Sequence, residues 1–375
     1  MVKAIKVMLI PNNVQKTKMF QYAGASRFAY NWALAREKEN YEKGGKFISD
    51  SELRKEFTKL RHSDEYAWLL NISNNVTKQA IKDACTAYKN FFKGLQKFPR
   101  FKSKKRSMPK FYQDNVKIQF SNTHVKFEGF SSSRKANKQK MNWVRLAEHG
   151  RIPTDVKYMN PRISFDGLNW WISVCVEFPD CKETLNDDGV GIDLGIKDLA
   201  VCSDAVKYKN INKSQKVKKL EKQKRRLQLV SLVLTRRIRK GKVNCKTNNV
   251  IKKEKLLLKR NHRLTNIRKN YLNQTISEIV NRKPRFICIE DLNVSGIMKN
   301  RHLSKAVQAQ EFFGFRKQLE YRCSDKGNQL IVVDRFYPSS KLCSCCGNIK
   351  KDLKLSDRVY RCACGNMITG ISRHL

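Results

Sequence analysis

Acidic residues are scarce in this chain of 375 residues, which has 33 Asp and Glu against 78 Lys and Arg and a formal net charge of +45. So large an excess of one sign opposes compaction unless a polyanion screens it. Nucleic acid is the natural polyanion, and long contacts with a phosphate backbone are expected. The alternative is a solvated basic surface, or a basic protein of the ribosome or of a membrane face.

Long apolar runs are missing as well. No run is long enough to span a bilayer, and the N-terminus lacks the charged-then-apolar pattern of a signal peptide. These absences predict a cytoplasmic protein without a membrane partner. There is no internal repeat and no long low-complexity tract. With 40% hydrophobic residues, the length predicts two or three domains with real cores.

The twelve cysteines do not form the pattern of a disulfide framework. Seven are scattered singly and five crowd near the C-terminus. The pairs Cys343-x-x-Cys346 and Cys362-x-Cys364 predict a closed, tetrahedral zinc ribbon, which is structural because all-cysteine sites lack an open position. Cys345 is a spare thiol or an alternative ligand, and the unusual Cys-x-Cys spacing leaves one ligand assignment open.

The first part of the chain predicts one strand, then a helical block, then several strands. Apolar residues alternate over 2–9, recur at helical spacing over 16–41, 51–60 and 75–95, and return to a period of two further on. The later strands are expected at 116–120, 125–130, 162–165 and 170–178. Together they predict a small β-barrel or sandwich that the N-terminal strand could complete.

The second part predicts short strands around a long helical hairpin. Strands are expected at 190–193, 199–202, 285–289 and 330–333. Two very basic helices, 213–240 and 252–281, carry leucines at seven-residue spacing and form the hairpin. A further helix, 306–326, should have Phe312, Phe313, Phe315 and Leu319 on its apolar side.

Two acids stand at the ends of short apolar strands, Asp193 after one and Glu290 after another. Paired carboxylates on neighbouring strands would suit a divalent-metal phosphodiesterase, because magnesium prefers hard oxygen ligands. Acids at strand ends are also common as plain turn formers, so the pattern by itself leaves both readings open.

Three basic segments are candidates for nucleic-acid binding. The segment 97–110 places Lys and Arg beside Phe98 and Phe101, which suits a base-stacking loop or an ordinary exposed linker. Residues near the start of the helix at 75–95 include a glutamine that could pair with an adenine edge, or they are plain surface residues. The hairpin is basic on its outer faces. The predicted residues are Lys78, Gln79, Lys82, Arg100, Lys102, Lys104, Lys105, Arg225, Arg226, Arg236 and Arg237.

The order of these parts resembles the TnpB proteins of insertion sequences, which are relatives of the type V CRISPR effectors. The resemblance is carried by 191–197 (GIDLGIK), 289–294 (IEDLNV) and 336–343 (FYPSSKLC), with the hairpin between the first two and the ribbon after the third. Tyr30-Asn31 and 98–102 (FPRFK) also look like that family, so the resemblance covers nearly the whole chain.

The resemblance implies a mixed α/β, multidomain fold. A β-barrel wedge domain is interrupted by a helical recognition domain, and an RNase H-like RuvC domain holding a zinc ribbon follows. The implied division is 1–10 for the first wedge strand, 11–105 for the recognition domain, 106–185 for the rest of the wedge and 186–375 for the RuvC-like domain. Within the last, the hairpin takes 213–282 and the ribbon about 338–366.

It also implies the partners. Family members bind a guide RNA made from the transposon end, recognise a short motif beside the target in double-stranded DNA, and open the duplex for base pairing. A monomer per guide RNA in a prokaryotic cell is expected. Asp193 and Glu290 match the first two of the three catalytic acids that hold magnesium.

The third acid is expected to be missing. After the ribbon the family reads Asp-Arg-Asp-x-Asn-Ala-Ala, whereas here Gly365 is followed by ten residues without a carboxylate side chain, and the helix that would carry it is absent. In an ungapped comparison Ile371 stands at its position. Loss of one of three ligands should weaken magnesium binding and lower cleavage by orders of magnitude. The chain then resembles nuclease-dead TnpB derivatives that act as RNA-guided repressors.

Three hypotheses follow. The first is a guide-dependent repressor that binds DNA without cutting it. The second is an active endonuclease in which Asp334, Asp352 or Asp357 replaces the third acid. The third is a decayed transposon protein without a selected role, against which the intact strand pattern, hairpin and cysteine pairs argue.

Overall fold

The computed structural model describes residues 1–130, 141–179, 183–240, 247–335, 337, 342–343, 345–350, 359–365 and 367–369. The chain divides into two compact units, Met1–Pro179 and Asp180–Leu375. In the part of the chain so described, no helix combines the length and the apolarity needed to cross a bilayer.

In its described residues, unit 1 combines long helices with a seven-stranded sheet. Its elements are β1 (Val2–Ile10), α1 (Asn13–Glu42), α2 (Asp50–Arg61), α3 (Asn74–Phe92), β2 (Lys110–Tyr112), β3 (Gln119–Phe120), β4 (His124–Lys126), β5 (Trp143–Leu146), β6 (Tyr158–Phe165) and β7 (Trp170–Glu177). A 3-10 helix, Asp64–Asn71, connects α2 to α3. The strand order is β2-β6-β7-β1-β5-β4-β3, and every pair is antiparallel.

The N-terminal strand completes the later strands, as the sequence predicted. β1 lies between β7 and β5, with Val2 opposite Glu177 and Leu9 opposite Leu146. Within the described residues the end strands β2 and β3 are not paired with each other, so the hydrogen-bonded ladder does not close into a barrel. The helices and the sheet share one hydrophobic core, in which Tyr22 of α1 packs edge-on against Phe111 of β2.

Helix α1 is joined to the sheet at its first turn. The Asn12 side chain accepts from the Gln15 N–H at 2.8 Å, and Gln15 Oε1 accepts from the Asn12 N–H at 3.0 Å, which is a capping box. The Gln15 amide also donates to the Met141 and Trp143 carbonyls, at 3.1 and 2.9 Å. The buried glutamine therefore caps the helix and connects it to β5.

Unit 2 is built on a five-stranded sheet. Its elements are β8 (Gly189–Leu194), β9 (Asp198–Cys202), β10 (Lys207–Lys209), α4 (Gln215–Lys240), α5 (Asn248–Asn281), β11 (Phe286–Glu290), α6 (Val294–Ile297), α7 (Ser304–Gln310), α8 (Phe312–Lys326), β12 (Gln329–Val333), β13 (Val359–Arg361) and β14 (Met367–Thr369). The order is β10-β9-β8-β11-β12, and β13 pairs separately with β14. β8, β9 and β10 are antiparallel neighbours, whereas β11 runs parallel to both β8 and β12.

One hydrophobic core holds α5 and α8 against this sheet. Ile192 and Ile289 from the strands are buried together with Ile276 of α5 and with Phe315 and Leu319 of α8. The predicted hairpin is present as α4 and α5. Its apolar seam is confirmed at Leu220 and Leu264, which are buried together with Val217.

Three expectations about local structure were wrong. The helix predicted over 306–326 is broken at Glu311, whose φ of 54° is left-handed, and the break leaves Phe313 64% exposed. Helix α3 ends at Phe92 rather than at 95, because Gly94 takes a φ of 70° and turns the chain. The strand predicted over 116–120 is mostly a turn, since the Asp114 side chain accepts from the N–H groups of residues 116 and 117.

Candidate active site and nucleic-acid interface

Asp193 and Glu290 lie on neighbouring parallel strands, at the ends that the strands share. β8 and β11 pair with Ile192 opposite Ile289, which puts Asp193 opposite Glu290 in the next row. Since side chains alternate along a strand, both acids lie on the face opposite the buried isoleucines, and both are half-buried. Neighbouring strands are about 4.8 Å apart, so the two carboxylates can bind one cation or two adjacent cations.

This pair fits a hard divalent cation such as magnesium, which prefers carboxylate oxygens and keeps water or phosphate in its other positions. Apart from a cysteine cluster, no three ligand atoms of His, Cys, Asp or Glu within the described residues all lie within 4.8 Å of one another. The site as described thus contains two acids. Ile371, Asp352 and Asp357 lie outside the described residues.

Two further acids lie at the same edge of the sheet, Asp291 directly after β11 and Asp334 directly after β12. The Asp291 N–H donates to the Val333 carbonyl at 3.0 Å, which brings Asp291 level with the exposed Asp334 after β12. Arg335 donates to Asp291 Oδ2 at 2.8 Å and Arg316 donates to Oδ1. Hydrogen bonds from these two guanidinium groups hold the pKa of Asp291 below its ordinary value. Each oxygen of the Asp291 carboxylate therefore accepts a hydrogen bond from an arginine.

The four predicted cysteines form one cluster. The sulfur atoms of Cys343, Cys346, Cys362 and Cys364 all lie within 4.8 Å of one another, with 3.6 Å between the first and the last and 3.4 Å between the other two. A tetrahedral zinc ion with Zn–S bonds of about 2.3 Å would need sulfurs about 3.8 Å apart. The cluster thus fits a structural zinc ion, and Cys345 is exposed and outside it.

Each cysteine pair is shaped by a glycine turn. The Gly347 N–H donates to the Cys343 carbonyl at 3.0 Å, and the Gly365 N–H donates to the Cys362 carbonyl at 3.1 Å. Both glycines have left-handed φ angles, 69° and 83°. These tight turns bring the second cysteine of each pair back towards the first, including the pair with the shorter spacing.

A basic groove runs along α1 in unit 1. We use this name for two adjoining pockets of about 740 and 640 Å³ that share Gly24 and Arg27. The residues that give the groove its character are Lys18, Phe20, Gly24, Arg27, Trp68, Lys104, Lys105 and Arg106. Phe20 and Trp68 are 44% and 46% exposed. Cations beside exposed aromatic rings suit phosphate contact and base stacking.

The basic groove includes residues that sequence reasoning found and others that it missed. Lys104 and Lys105 were predicted from the basic segment. Arg27 and Lys18 belong to a long helix with basic residues scattered along it, and only the fold brings them beside that segment. In the described part of the structure, neither of these two residues has an ion pair.

Lys102 points inward instead. Its ammonium lies 3.0 Å from the centroid of the Tyr30 ring, and its backbone is hydrogen-bonded to the Asn31 side chain. Burial lowers the pKa of Lys102 to about 7, while the aromatic ring favours the charged form. A contact between Lys102 and nucleic acid would require it to leave this ring, whereas Arg100 is exposed.

On α3, Lys78 and Lys82 are exposed but Gln79 is engaged. Its amide donates to Asp83 at 2.9 Å, and Asp83 accepts from both terminal nitrogens of Arg162 of β6, at 2.5 and 3.0 Å. Base reading by Gln79 stays a prediction and would have to compete with this contact. On α4, Arg225 and Arg226 are exposed. The side chains of Arg236 and Arg237 lie outside the described residues.

Three family models match parts of the chain. Residues 1–46 match a helix-turn-helix domain of the OrfB IS605 type, 173–301 match a probable transposase of the same type, and 312–369 match the TNB domain of Cas12f1-like proteins. The first match falls on β1 and the single long helix α1, so those residues do not form two helices joined by a turn.

Relatives and one solved structure cover nearly the whole chain. A putative RNA-guided DNA endonuclease, InsQ, of Escherichia coli K12 is 29% identical over 96% of this chain and 87% of its own length. A putative RNA-guided DNA endonuclease of Streptomyces pristinaespiralis is 28% identical over 97% and 85%. The protein of a Cas12f1–sgRNA–target DNA complex superposes with a TM-score of 0.60 over 100% of this chain and 97% of its own, at 12% identity, which is a likeness of fold.

Proposed function

We propose that this chain, which has a Cas12f-like fold, belongs to the TnpB/OrfB family of IS605-type proteins and is an RNA-guided DNA endonuclease. The relatives that cover most of the chain carry that description. The observation that supports the nuclease function best is the pair Asp193 and Glu290 on adjacent parallel strands.

The sheet of unit 2 supports the same reading. Numbered along that unit, its strands lie in the order third, second, first, fourth and fifth, with the first three antiparallel and the last two parallel to the first. This is the arrangement of RNase H-like domains. We therefore assign unit 2 to a RuvC-like domain with a zinc ribbon, and the sheet and helices of unit 1 to the wedge and recognition domains.

In this proposal each part of the chain has a physical task. The basic groove and the exposed arginines of α4 bind phosphate backbone, while base pairing with the guide supplies sequence choice. Asp193 and Glu290 would hold magnesium, which when bound stabilises the charge on the phosphate and activates water. A third acid would be needed to complete the ligand set, and Asp334, which follows the neighbouring strand β12, is the described candidate.

A guide-dependent repressor that does not cut is the second candidate. The observation that favours it is the absence of any carboxylate side chain from residue 366 to 375, where the family pattern has one and Ile371 stands instead. A protein that opens its target without cutting it would remain bound and block transcription.

One experiment separates the two candidates. The protein would be co-expressed with its flanking DNA so that a guide RNA co-purifies, and incubated with motif-flanked duplex in magnesium or calcium. Binding and cleavage are then read on the same samples. The endonuclease function predicts cleavage in magnesium that Asp193→Asn and Glu290→Gln abolish without loss of binding.

The other outcomes are equally informative. Tight, guide-dependent binding with intact DNA in magnesium would overturn the endonuclease function and support the repressor. If Asp334→Asn loses cleavage, Asp334 is the third acid. If Asp334→Asn still cleaves, Asp352 and Asp357 would be substituted in the same way. A protein that retains no discrete RNA and binds no target would overturn both candidates.

A further inference from the structure

A pocket of about 350 Å³ opens directly beside Glu290 in unit 2. Its lining includes the apolar Leu194 and Leu292 together with Phe313, Arg316 and Arg335, and we call the last three its rim. Pockets for small ligands typically occupy ~300–1,000 Å³ and combine apolar walls with a few polar groups. This pocket is at the small end of that range, and its rim combines an aromatic ring with two cations.

We propose that this pocket is a subsite for one nucleotide of single-stranded DNA next to the scissile phosphate, with Phe313 against the base and Arg335 against the phosphate. The inference rests on the proposed function, because it places the pocket beside a nuclease centre. It adds a binding site that neither the sequence motifs nor the acid pair contain.

Phe313 is presented to solvent by a break in the chain. Its neighbours Phe312 and Phe315 are buried, at 4% and 0% exposure, whereas Phe313 is 64% exposed. The left-handed Glu311 ends α7 and restarts the helix as α8, so the first turn of α8 brings an aromatic ring to the pocket rim. An exposed ring of this kind binds the face of any unpaired base without preference for sequence.

Arg335 is the cation with hydrogen-bonding capacity to spare. Arg316 is used twice, by Asp291 and by Glu320 at 3.2 Å, whereas Arg335 donates to Asp291 through one nitrogen and is 43% exposed. A guanidinium carries five N–H donors in a planar fork, so most of the Arg335 donors are available to a phosphate oxygen. Asp291 is a positioning residue that holds both arginines on one side of Glu290.

A helix cap holds the segment of the pocket lining that follows Glu290. Asn293 Oδ1 accepts from the Gly296 N–H at 2.9 Å and from the Ser295 hydroxyl at 3.0 Å, which caps α6. This cap holds the segment after Glu290 in one shape. This part of the pocket lining is therefore ordered before any ligand arrives, which lowers the entropy cost of binding a nucleotide.

The test uses DNA in which 2-aminopurine replaces single bases, because its fluorescence falls when the base stacks on an aromatic ring. In the first arm, the guide-loaded protein binds a motif-flanked duplex in calcium, with the probe moved along both strands. We expect quenching at one or two unpaired positions. Phe313→Ala should abolish it and Phe313→Trp should retain it, while Arg335→Gln should weaken it.

Tyr321→Ala is the matched control, since Tyr321 is an exposed aromatic residue of the same helix and does not line the pocket. In the second arm, the full chain without guide binds a short 2-aminopurine oligonucleotide. There Phe313→Ala should weaken the quenched complex about five- to hundredfold, as expected for loss of one base stack.

The outcomes separate this inference from the function on which it rests. Guide-dependent binding with quenching unchanged in Phe313→Ala would overturn the subsite and leave the proposed function intact. Failure of the wild type to bind its target would overturn the proposed function, and the oligonucleotide arm would then decide the subsite by itself. Equal effects of Phe313→Ala and Tyr321→Ala in that arm would also overturn it.

Discussion

Asn31 and Lys102 exchange two hydrogen bonds of 2.8 Å, one from the Asn31 amide to the Lys102 carbonyl and one from the Lys102 N–H to Asn31 Oδ1. The two residues are 71 positions apart in the chain. The pair ties the basic segment that follows α3 to the middle of α1. It therefore sets the position of Lys104, Lys105 and Arg106 relative to Arg27 across the basic groove.

Removal of that tie should loosen the groove. Asn31→Ala leaves the Lys102 backbone groups without their partner, which should lower the free energy of unfolding by roughly 1–3 kcal/mol. It should also weaken guide RNA binding severalfold, because the loop cations are no longer held beside α1. Urea unfolding and fluorescence anisotropy would measure the two effects. Asn31→Asp keeps only the hydrogen-bond acceptor, so its stability and RNA affinity should lie between those of the wild type and Asn31→Ala. Wild-type RNA affinity in Asn31→Ala would contradict this role.

The groove cations should appear in the salt dependence of binding. Each phosphate contact adds about 0.7–0.9 to the slope of log affinity against log salt. The double variant Lys104→Gln, Arg106→Gln should therefore lower the slope by one to two. Lys55→Gln, Lys59→Gln makes the same charge change on α2, outside the groove lining. If both double variants lower the slope equally, the groove has no special part in binding.

The cysteine cluster predicts which thiols hold zinc. Cys343→Ser or Cys364→Ser should lose the metal and unfold the ribbon, whereas Cys345→Ser should keep one zinc ion per chain. Cobalt substitution offers a direct readout, because four thiolates give intense charge-transfer bands that a three-sulfur site weakens. Loss of zinc in Cys345→Ser would show that the exposed thiol replaces one of the four.

Glu37 makes the stability of the folded protein depend on pH. It is 2% exposed, one of its oxygens accepts from the Ile48 N–H at 3.3 Å, and its other oxygen has no hydrogen-bond partner in the described part of the chain. Burial raises the pKa of Glu37 from 4.5 to about 7. The folded protein thus keeps a proton that the unfolded chain releases, and stability falls as pH rises from about 4.5 to about 7.

Glu37→Gln should remove this dependence and stabilise the protein at pH 8 by roughly 1–3 kcal/mol. Urea unfolding of the full chain at pH 5 and pH 8 measures the difference. Glu42→Gln, an exposed position near the end of the same helix, is the matched control and should leave the pH profile of the wild type unchanged. A wild-type profile that is flat between the two pH values would refute the prediction.

Local patterns predicted the elements that hold the acid pair. Two short apolar runs, each ending in a carboxylate, predicted strands that β8 and β11 confirm, and parallel pairing brings Asp193 opposite Glu290. The zinc ligands were predicted in the same way, because their spacing is set by tight turns within a few residues. In both cases the residues that determine the local structure are close to one another in the sequence.

Contacts between distant segments could not be predicted. Nothing near Lys102 in the sequence shows that it packs on Tyr30, and its neighbours made it look like one more exposed cation. Phe313 was predicted to be buried, since its helical spacing suited the apolar side. The break at Glu311 depends on a left-handed φ that glutamate rarely adopts, so the residue type at this position does not predict it.

The parallel pairing of β8 with β11 has a consequence for synthesis. Close to a hundred residues separate Asp193 from Glu290, and the hairpin α4–α5 lies between them. A ribosome that adds about 5–20 residues per second needs roughly 5–20 s to pass from one to the other. During that interval the nascent chain already displays the arginines of α4 to nearby RNA, while Asp193 and Glu290 have not yet come together. Under the proposed function, a growing chain can thus engage nucleic acid before its candidate nuclease site has formed.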